Sequence, residues 1–182
     1  MIEKDALLGV VSGVCGEFFV PHMGTHGNNS DSFMYETGKR LAAKADQGLI
    51  SIVLYLGDLD PSGDDMSRDV QERLSRYARR EIEVRRLALN PDQVRRYNLP
   101  PFEASDDDTR TDGYQRKYGS KDSWELDALP PPVLIGMIRT ELNGLIDHKR
   151  WKRAKAQERR NSELMHDVGN NWAKVEKMFK RR

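Results

Sequence analysis

The chain has 182 residues and a mass of 20.9 kDa, with 37% hydrophobic and 32% charged residues, which suits one α/β domain with an appendage and is too short for two full domains. No apolar run nears the roughly 20 residues of a membrane span and no secretory leader opens the sequence, so a cytoplasmic address is expected. A single cysteine, Cys15, excludes an internal disulfide and a CxxC zinc knuckle; the net charge of +1 divides into +8 for residues 148–182 (12 Lys and Arg against 4 Asp and Glu) and −7 for residues 1–147 (18 against 25).

In chain order, Asp5 to Glu17 reads as a helix capped by Asp5, with Ala6, Leu7, Val10, Val11 and Val14 on its apolar face. "FFVPHMGTHGNNS" follows as a strand from Phe18 to Gly24 and a Gly-Asn-Asn loop. Ser30 or Asp31 caps a helix from Ser32 to Ala45, which "DQG" closes. "LISIVLYL", Leu49 to Leu56, is a buried strand that runs into "GDLDPSG", and a helix from about Gly63 to Arg80 comes next. "IEVRRLAL" is another strand, and "NPDQVRRYN" a short helix with Asn90 as cap and Pro91 at its first position, where no N–H is needed. Residues 100–123 read as a long polar loop, a length at which loops tend to be functional. "WELDALPP" reads as a strand edge, followed by a Pro-started helix from about Val133 to His148. The basic remainder is a charged helix, a break near Gly169-Asn170-Asn171 and an amphipathic last helix. This alternation is the rhythm of a parallel sheet flanked by helices, without its first strand.

Asp58 and Asp60 carry the sharpest chemistry. Two carboxylates at the end of a buried strand reach the carboxyl edge of a sheet, where open α/β folds bind ligands. The turn at Pro61 brings both toward one hard cation, and magnesium suits such an oxygen-only site. Ser62 and Gly63 would offer N–H groups at a helix N-terminus to a phosphate. A helix-capping turn with a solvated acidic pair is the alternative. Glu3, just after the missing strand, is the best third carboxylate, against the alternative of an exposed terminal residue. His22 and His26 have helical zinc spacing but fall on a strand and its exit, which argues against zinc.

"EKDALLGVV", "HMGTHGNNS", "LYLGDLDPSGDDM" and "ELDALPP" resemble, in that order, the segments of Toprim domains, in the branch found in the topoisomerase VI A subunit and in standalone or phage-borne Toprim proteins. The resemblance spans about residues 2–147. It implies a Toprim-like, Rossmann-like α/β fold: a parallel sheet of about four strands flanked by helices. It also implies magnesium at Glu3, Asp58 and Asp60, with these as catalytic residues, and breakage or rejoining of DNA. Lys4, His26, Gly27, Ser30, Ser62 and Gly63 would then face phosphate, although a tight turn accounts for His26, Gly27 and Ser30 equally well. Glu125 and Asp127, alternating on the expected strand, are candidates for an outer site or for partners of Arg or Lys.

Within these 182 residues no segment reads as the winged-helix domain whose tyrosine attacks DNA in that branch, and none of Tyr35, Tyr55, Tyr77, Tyr97, Tyr114 and Tyr118 has a matching context. The expected organisation is a Toprim domain over 1–147 with a truncated first strand, of which Met1 and Ile2 are the remnant, and a basic helical extension over 148–182. The expected partners are DNA, a tyrosine-bearing winged-helix domain or partner chain, and a second copy of the chain, with no membrane. Alternatives are a non-catalytic DNA-binding or assembly module, and a phosphatase of the haloacid-dehalogenase type; Pro61-Ser62-Gly63 and the upstream Glu3 fit the latter poorly.

Overall fold

A computed structural model describes residues 1–25, 30–103 and 109–180. It is an α/β structure that divides into two compact units, Met1–Arg139 and Thr140–Arg182. Helices α1 (Leu8–Glu17), α2 (Asp31–Asp46), α3 (Pro61–Ala78), α4 (Pro91–Tyr97), α5 (Thr111–Tyr118), α6 (Pro131–Leu145), α7 (His148–Asn170) and α8 (Trp172–Phe179) accompany strands β1 (Ile52–Leu56), β2 (Glu83–Ala88), β3 (Phe102–Glu103) and β4 (Asp122–Ser123).

In the first unit β1 and β2 pair in parallel, with Ile52 opposite Glu83 and Leu56 opposite Ala88. Ile2 bridges Leu56 on one side and Gly24 on the other, both in parallel. Thr25 N donates to Ile2 O at 2.8 Å, Ile2 N to Met23 O at 2.9 Å, and Glu3 N to Leu56 O at 2.8 Å. Across the sheet the order is therefore Gly24, Ile2, β1, β2, and the chain visits these positions second, first, third and fourth. Amphipathic α2 and α3 supply the core on one face: Met34, Tyr55, Met66, Val70, Leu74, Ala78 and Ile82 form one buried cluster.

Several sequence expectations are corrected. Phe18–Gly24 is not a strand: Phe18 is the C-cap of α1, Phe19 takes a φ of 53°, and only Gly24 joins the sheet. Pro21 lacks a donor, and the left-handed turn at Phe19 interrupts the extended backbone that a strand needs. Asp5 does not cap a helix but opens a 3₁₀ turn, Asp5–Leu7, ahead of α1. The apolar run before Asp58 is shorter as a strand than it reads, since Leu49 and Ile50 are exposed and pairing begins at Ile52. The polar stretch 100–123 contains the antiparallel pair β3–β4 and the eight-residue α5, elements too short to leave a period. "WELDALPP" forms a single antiparallel bridge, Leu59 to Trp124, and then a 3₁₀ turn, Leu126–Ala128, so Glu125 and Asp127 do not share a strand face.

The remaining boundaries follow local chemistry. Ser30 caps α2 by accepting from Phe33 N, and Asn90 and Gln93 form a capping box ahead of Pro91 in α4. In the second unit α7 is capped by Asp147, buries none of its residues, and is followed after Asn171 by α8, whose Trp172, Met178 and Phe179 are exposed. Among the described residues no helix is long and apolar enough to cross a membrane.

Candidate functional site

The switch in strand order falls between Ile2 and β1, because α1 leaves the sheet after Ile2 toward Gly24 while β1 leads through α3 to β2. In open parallel sheets the crevice at the carboxyl ends beside such a switch is where ligands bind. Glu3 and Asp58 occupy that position: Glu3 follows the bridge residue Ile2, and Asp58 stands two residues beyond β1.

Glu3 Oε2 accepts from Asp58 N at 3.0 Å and from Tyr55 Oη at 3.3 Å. Asp58 Oδ1 accepts from Leu126 N at 2.7 Å, and Asp60 Oδ1 from Gly63 N at 2.6 Å. Each carboxylate thus commits one oxygen to a backbone N–H, which fixes its orientation, and retains the other. Glu3 Oε1 and Asp60 Oδ2 have no hydrogen-bond partner among the described residues, while Asp58 Oδ2 lies 3.8 Å from Lys4 Nζ. Glycine at 57 and 63 makes the arrangement feasible. A Cβ at 57 would stand 2.5 Å from Glu3 Oε2 and 2.6 Å from Tyr55 Cε1, and one at 63 would run into the carbonyl oxygen of Asp58.

Burial pushes the Glu3 carboxyl above the usual carboxylate range, and the charge of Asp58 pushes it further, against the opposing pull of the Asp58 N–H and Arg86. Asp58 is raised as well, by burial first, with the Leu126 N–H and Lys4 opposing. Tyr55, buried against Glu3, is held well above the ordinary phenol value.

Of the expected phosphate contacts, Lys4 is engaged with three carboxylates: Asp127 Oδ1 at 3.0 Å, Glu125 Oε2 at 3.2 Å and Asp58. The 3₁₀ turn after Trp124 presents Glu125 and Asp127 to it. Gly63 N is taken by Asp60, Ser62 is the second residue of α3, and the Ser30 hydroxyl serves its helix cap. His26 and Gly27 lie outside the described residues.

Arg86 is a residue that sequence reasoning passed over. Its guanidinium donates to the carbonyls of Leu89 at 3.0 Å, Gly63 at 2.9 Å, Gly57 at 3.3 Å and Asp58, and it lies over the Tyr55 ring. The signal was the pair Arg85-Arg86 inside a strand, where period-2 alternation sends one arginine inward. Beside it a cleft of about 560 Å³ opens between α3 and α5, lined by Pro61, Asp64, Arg86, Tyr114 and Lys117 among others.

Among the described residues no three His, Cys, Asp or Glu side chains stand together in a group that could hold a metal ion. The donor chemistry nevertheless fits a hydrated hard cation held by one or two carboxylates: the oxygens are all carboxylate, and the charges of Asp58 and Asp60 raise the affinity of Glu3 for positive charge. Magnesium is ordinarily held by one or two carboxylates with water completing its octahedron, which asks for less convergence than a closed cage. No family model, curated protein or solved structure matches the chain.

Proposed function

We propose that the chain is a Toprim domain of the topoisomerase VI A-subunit branch that acts with magnesium on DNA phosphodiester bonds, as a nuclease or as the metal-binding part of a larger topoisomerase-like protein. The observation that carries this reading is the meeting of Glu3 and Asp58, 55 positions apart in the chain, at the switch point of a parallel sheet. The order Gly24, Ile2, β1, β2 supports the reading as a four-position parallel arrangement in which Gly24 and Ile2 take part only through isolated bridges.

Glu3, Asp58 and Asp60 would hold the ion through the oxygens not engaged with backbone. Bound magnesium supplies electrostatic stabilisation of the scissile phosphate and the leaving oxygen. As a ligand of the ion Glu3 would be ionised; with Asp58 and Asp60 alone holding the ion, its raised carboxyl would instead retain a proton that it could pass to the departing oxygen. Arg86 holds Gly57, Asp58 and Gly63 in place through their carbonyls, so the acidic pair is positioned before substrate arrives. The attacking group is water, or the tyrosine of a winged-helix domain or partner chain. The basic face of α7, with Lys149, Arg150, Lys152 and Arg153 and no buried residue, supports attraction to a phosphate backbone.

A second reading, a non-catalytic DNA-binding or assembly module, is favoured by two observations: Lys4 already supplies a cation to the cluster, and Trp172, Met178 and Phe179 of α8 are exposed as a partner or a second copy of the chain would require. Supercoiled plasmid incubated with the full chain in magnesium or in EDTA, beside Asp58→Ala, tests the two. Magnesium-dependent nicking that Asp58→Ala abolishes is the expected result. DNA binding without nicking selects the second reading, and hydrolysis confined to a small phosphate ester replaces both with a phosphatase.

A further inference from the structure

Lys4 is placed where a metal-site cation would be resisted. Its Nζ stands 3.0 Å from Asp127 Oδ1 and 3.2 Å from Glu125 Oε2, both on the turn after Trp124, and 3.8 Å from Asp58 Oδ2. Asp58 Oδ1 is committed to Leu126 N, so Oδ2 is the oxygen that Asp58 has to offer a divalent ion, and it is the oxygen that faces the ammonium. An ammonium is a compact point charge on a flexible four-carbon stem, and at 3.8 Å from Oδ2 it already forms an ion pair with Asp58 that is longer than its pairs with Asp127 and Glu125. The backbone of Lys4 is extended, which turns its side chain away from that of Glu3 and toward the 3₁₀ turn. The side chain is 23% exposed, against 56% and 44% for Glu125 and Asp127, so the tether lies at the mouth of the cluster with the lysine on its inner side.

We propose that Lys4 is an internal competitor for the divalent cation at Asp58, and that Glu125 and Asp127 set the metal affinity by holding the ammonium back from that ligand. The proposal rests on the reading of Glu3, Asp58 and Asp60 as metal ligands. In the ion-free protein the ammonium offsets part of the charge of the buried carboxylates. When an ion arrives, the ammonium is displaced toward Glu125 and Asp127, which are already in contact with it. Glu125 and Asp127 are then positioning residues that act through Lys4 rather than ligands of the ion.

The test is a titration of the full-length chain with Mn²⁺ alone, followed by calorimetry at fixed ionic strength, for the unaltered protein, Lys4→Met, the pair Glu125→Gln with Asp127→Asn, and all three together. Lys4→Met is expected to tighten Mn²⁺ binding about fivefold or more, and the pair to weaken it about fivefold in the presence of Lys4. In the Lys4→Met background the pair should change affinity several-fold less, because no ammonium is left to release. Equal weakening in both backgrounds means that Glu125 and Asp127 act on the ion directly and overturns the proposal, as does unchanged or weaker binding by Lys4→Met. Those outcomes leave the metal site itself standing. Absence of Mn²⁺ binding by the unaltered protein and by Lys4→Met alike, or binding undiminished by Glu3→Gln with Asp58→Asn, removes the site and the proposal together. Far-UV circular dichroism checks each fold, and Lys4→Gln, which keeps a polar group for Asp127, serves where Lys4→Met does not fold and is expected to tighten binding in the same way.

Discussion

Glu3 Oε2 accepts the backbone N–H of Asp58 at 3.0 Å, and through that bond the residue after Ile2 is fastened to the residue that opens the acidic turn beyond β1. The carboxylate of Asp58 is fastened in its turn by Leu126 N at 2.7 Å. Three chain segments far apart in sequence are thereby linked at one sheet edge through carboxylate-to-backbone bonds. Such bonds leave little rotamer freedom to be lost when a ligand binds.

Replacing Glu3 by Gln should leave the protein as stable as the unaltered chain at pH 7, or more so. Glu3 and Asp58 both titrate above the ordinary carboxylate range, so between the unfolded and folded values the native state binds more protons than the unfolded chain. The stability they contribute is full below the unfolded value and is lost as pH rises through the folded one. Gln keeps an oxygen for Asp58 N and removes the charge. Thermal melts of both proteins from pH 7 down to about pH 4 should show the advantage of Glu3→Gln shrinking on acidification. Added magnesium should raise the melting temperature of the unaltered protein more than that of the variant. A variant that melts well below the unaltered protein at pH 7 contradicts the assignment.

Gly57→Ala and Gly63→Ala should each destabilise by about 1–3 kcal/mol, the usual cost of overpacking. They should differ in what relieves them. At 57 the new methyl meets the Glu3 carboxylate, which can rotate away, and the buried Tyr55 ring, which has to shift, so that variant loses metal binding along with stability. At 63 it meets the main-chain oxygen of Asp58, which moves only if the turn opens, so Gly63→Ala should be the more destabilising of the two. Urea unfolding with a Mn²⁺ titration distinguishes them.

The parts of the fold legible in sequence were those with a strong local signal. Pro91 behind Asn90, Ser30 before α2 and the apolar period of α3 placed helices to within a few residues. The acidic turn was legible because a strand, two carboxylates and Pro-Ser-Gly stand in one short run. What was not legible depends on partners remote in the chain: Gly24 joins the sheet only because Ile2 lies beside it, and Trp124 pairs only because Leu59 turns to meet it. Glu125 and Asp127 alternate like strand residues, yet a 3₁₀ turn directs both at Lys4. Arg86 escaped because its partners are backbone carbonyls, which no residue type announces.

Arg86→Lys should destabilise by roughly 2–4 kcal/mol. The planar fork reaches the carbonyls of Leu89, Gly63, Gly57 and Asp58 together, and a single ammonium cannot span them; Gly57 O keeps the Leu89 N–H at 2.7 Å, but the part-buried carbonyls of Leu89 and Asp58 lose the guanidinium donor at about 1–3 kcal/mol each. Hydrogen exchange should show the turn from Gly57 to Gly63 opening more often in the variant, while α2 keeps its protection. Loss of protection spread evenly over α2 and α3 would mean that Arg86 supports the whole core and not the turn.

The cleft beside Arg86 is closed on one side by Asp64, whose Oδ1 accepts from Lys117 Nζ at 2.7 Å and from Tyr118 Oη at 2.8 Å. Burial alone would raise the Asp64 carboxyl, but these two bonds outweigh it and hold the group below the ordinary aspartate range. A depressed value contributes stability above the unfolded pKa that is lost as pH falls through the folded one, so Asp64→Asn should be destabilising at pH 7 and progressively less so on acidification. Lys117 is more than half exposed, which limits its ion pair to about 0–1 kcal/mol, and the pair should weaken with added salt. Tyr118 is part-buried, and its hydrogen bond to a charged acceptor should carry about 1.5–3 kcal/mol. Tyr118→Phe should therefore lower the urea midpoint more than Lys117→Met does, and the difference should widen in 0.5 M salt, a concentration of about the order at which the Debye length falls below 5 Å. The reverse ranking would show that α5 is held to α3 by charge alone.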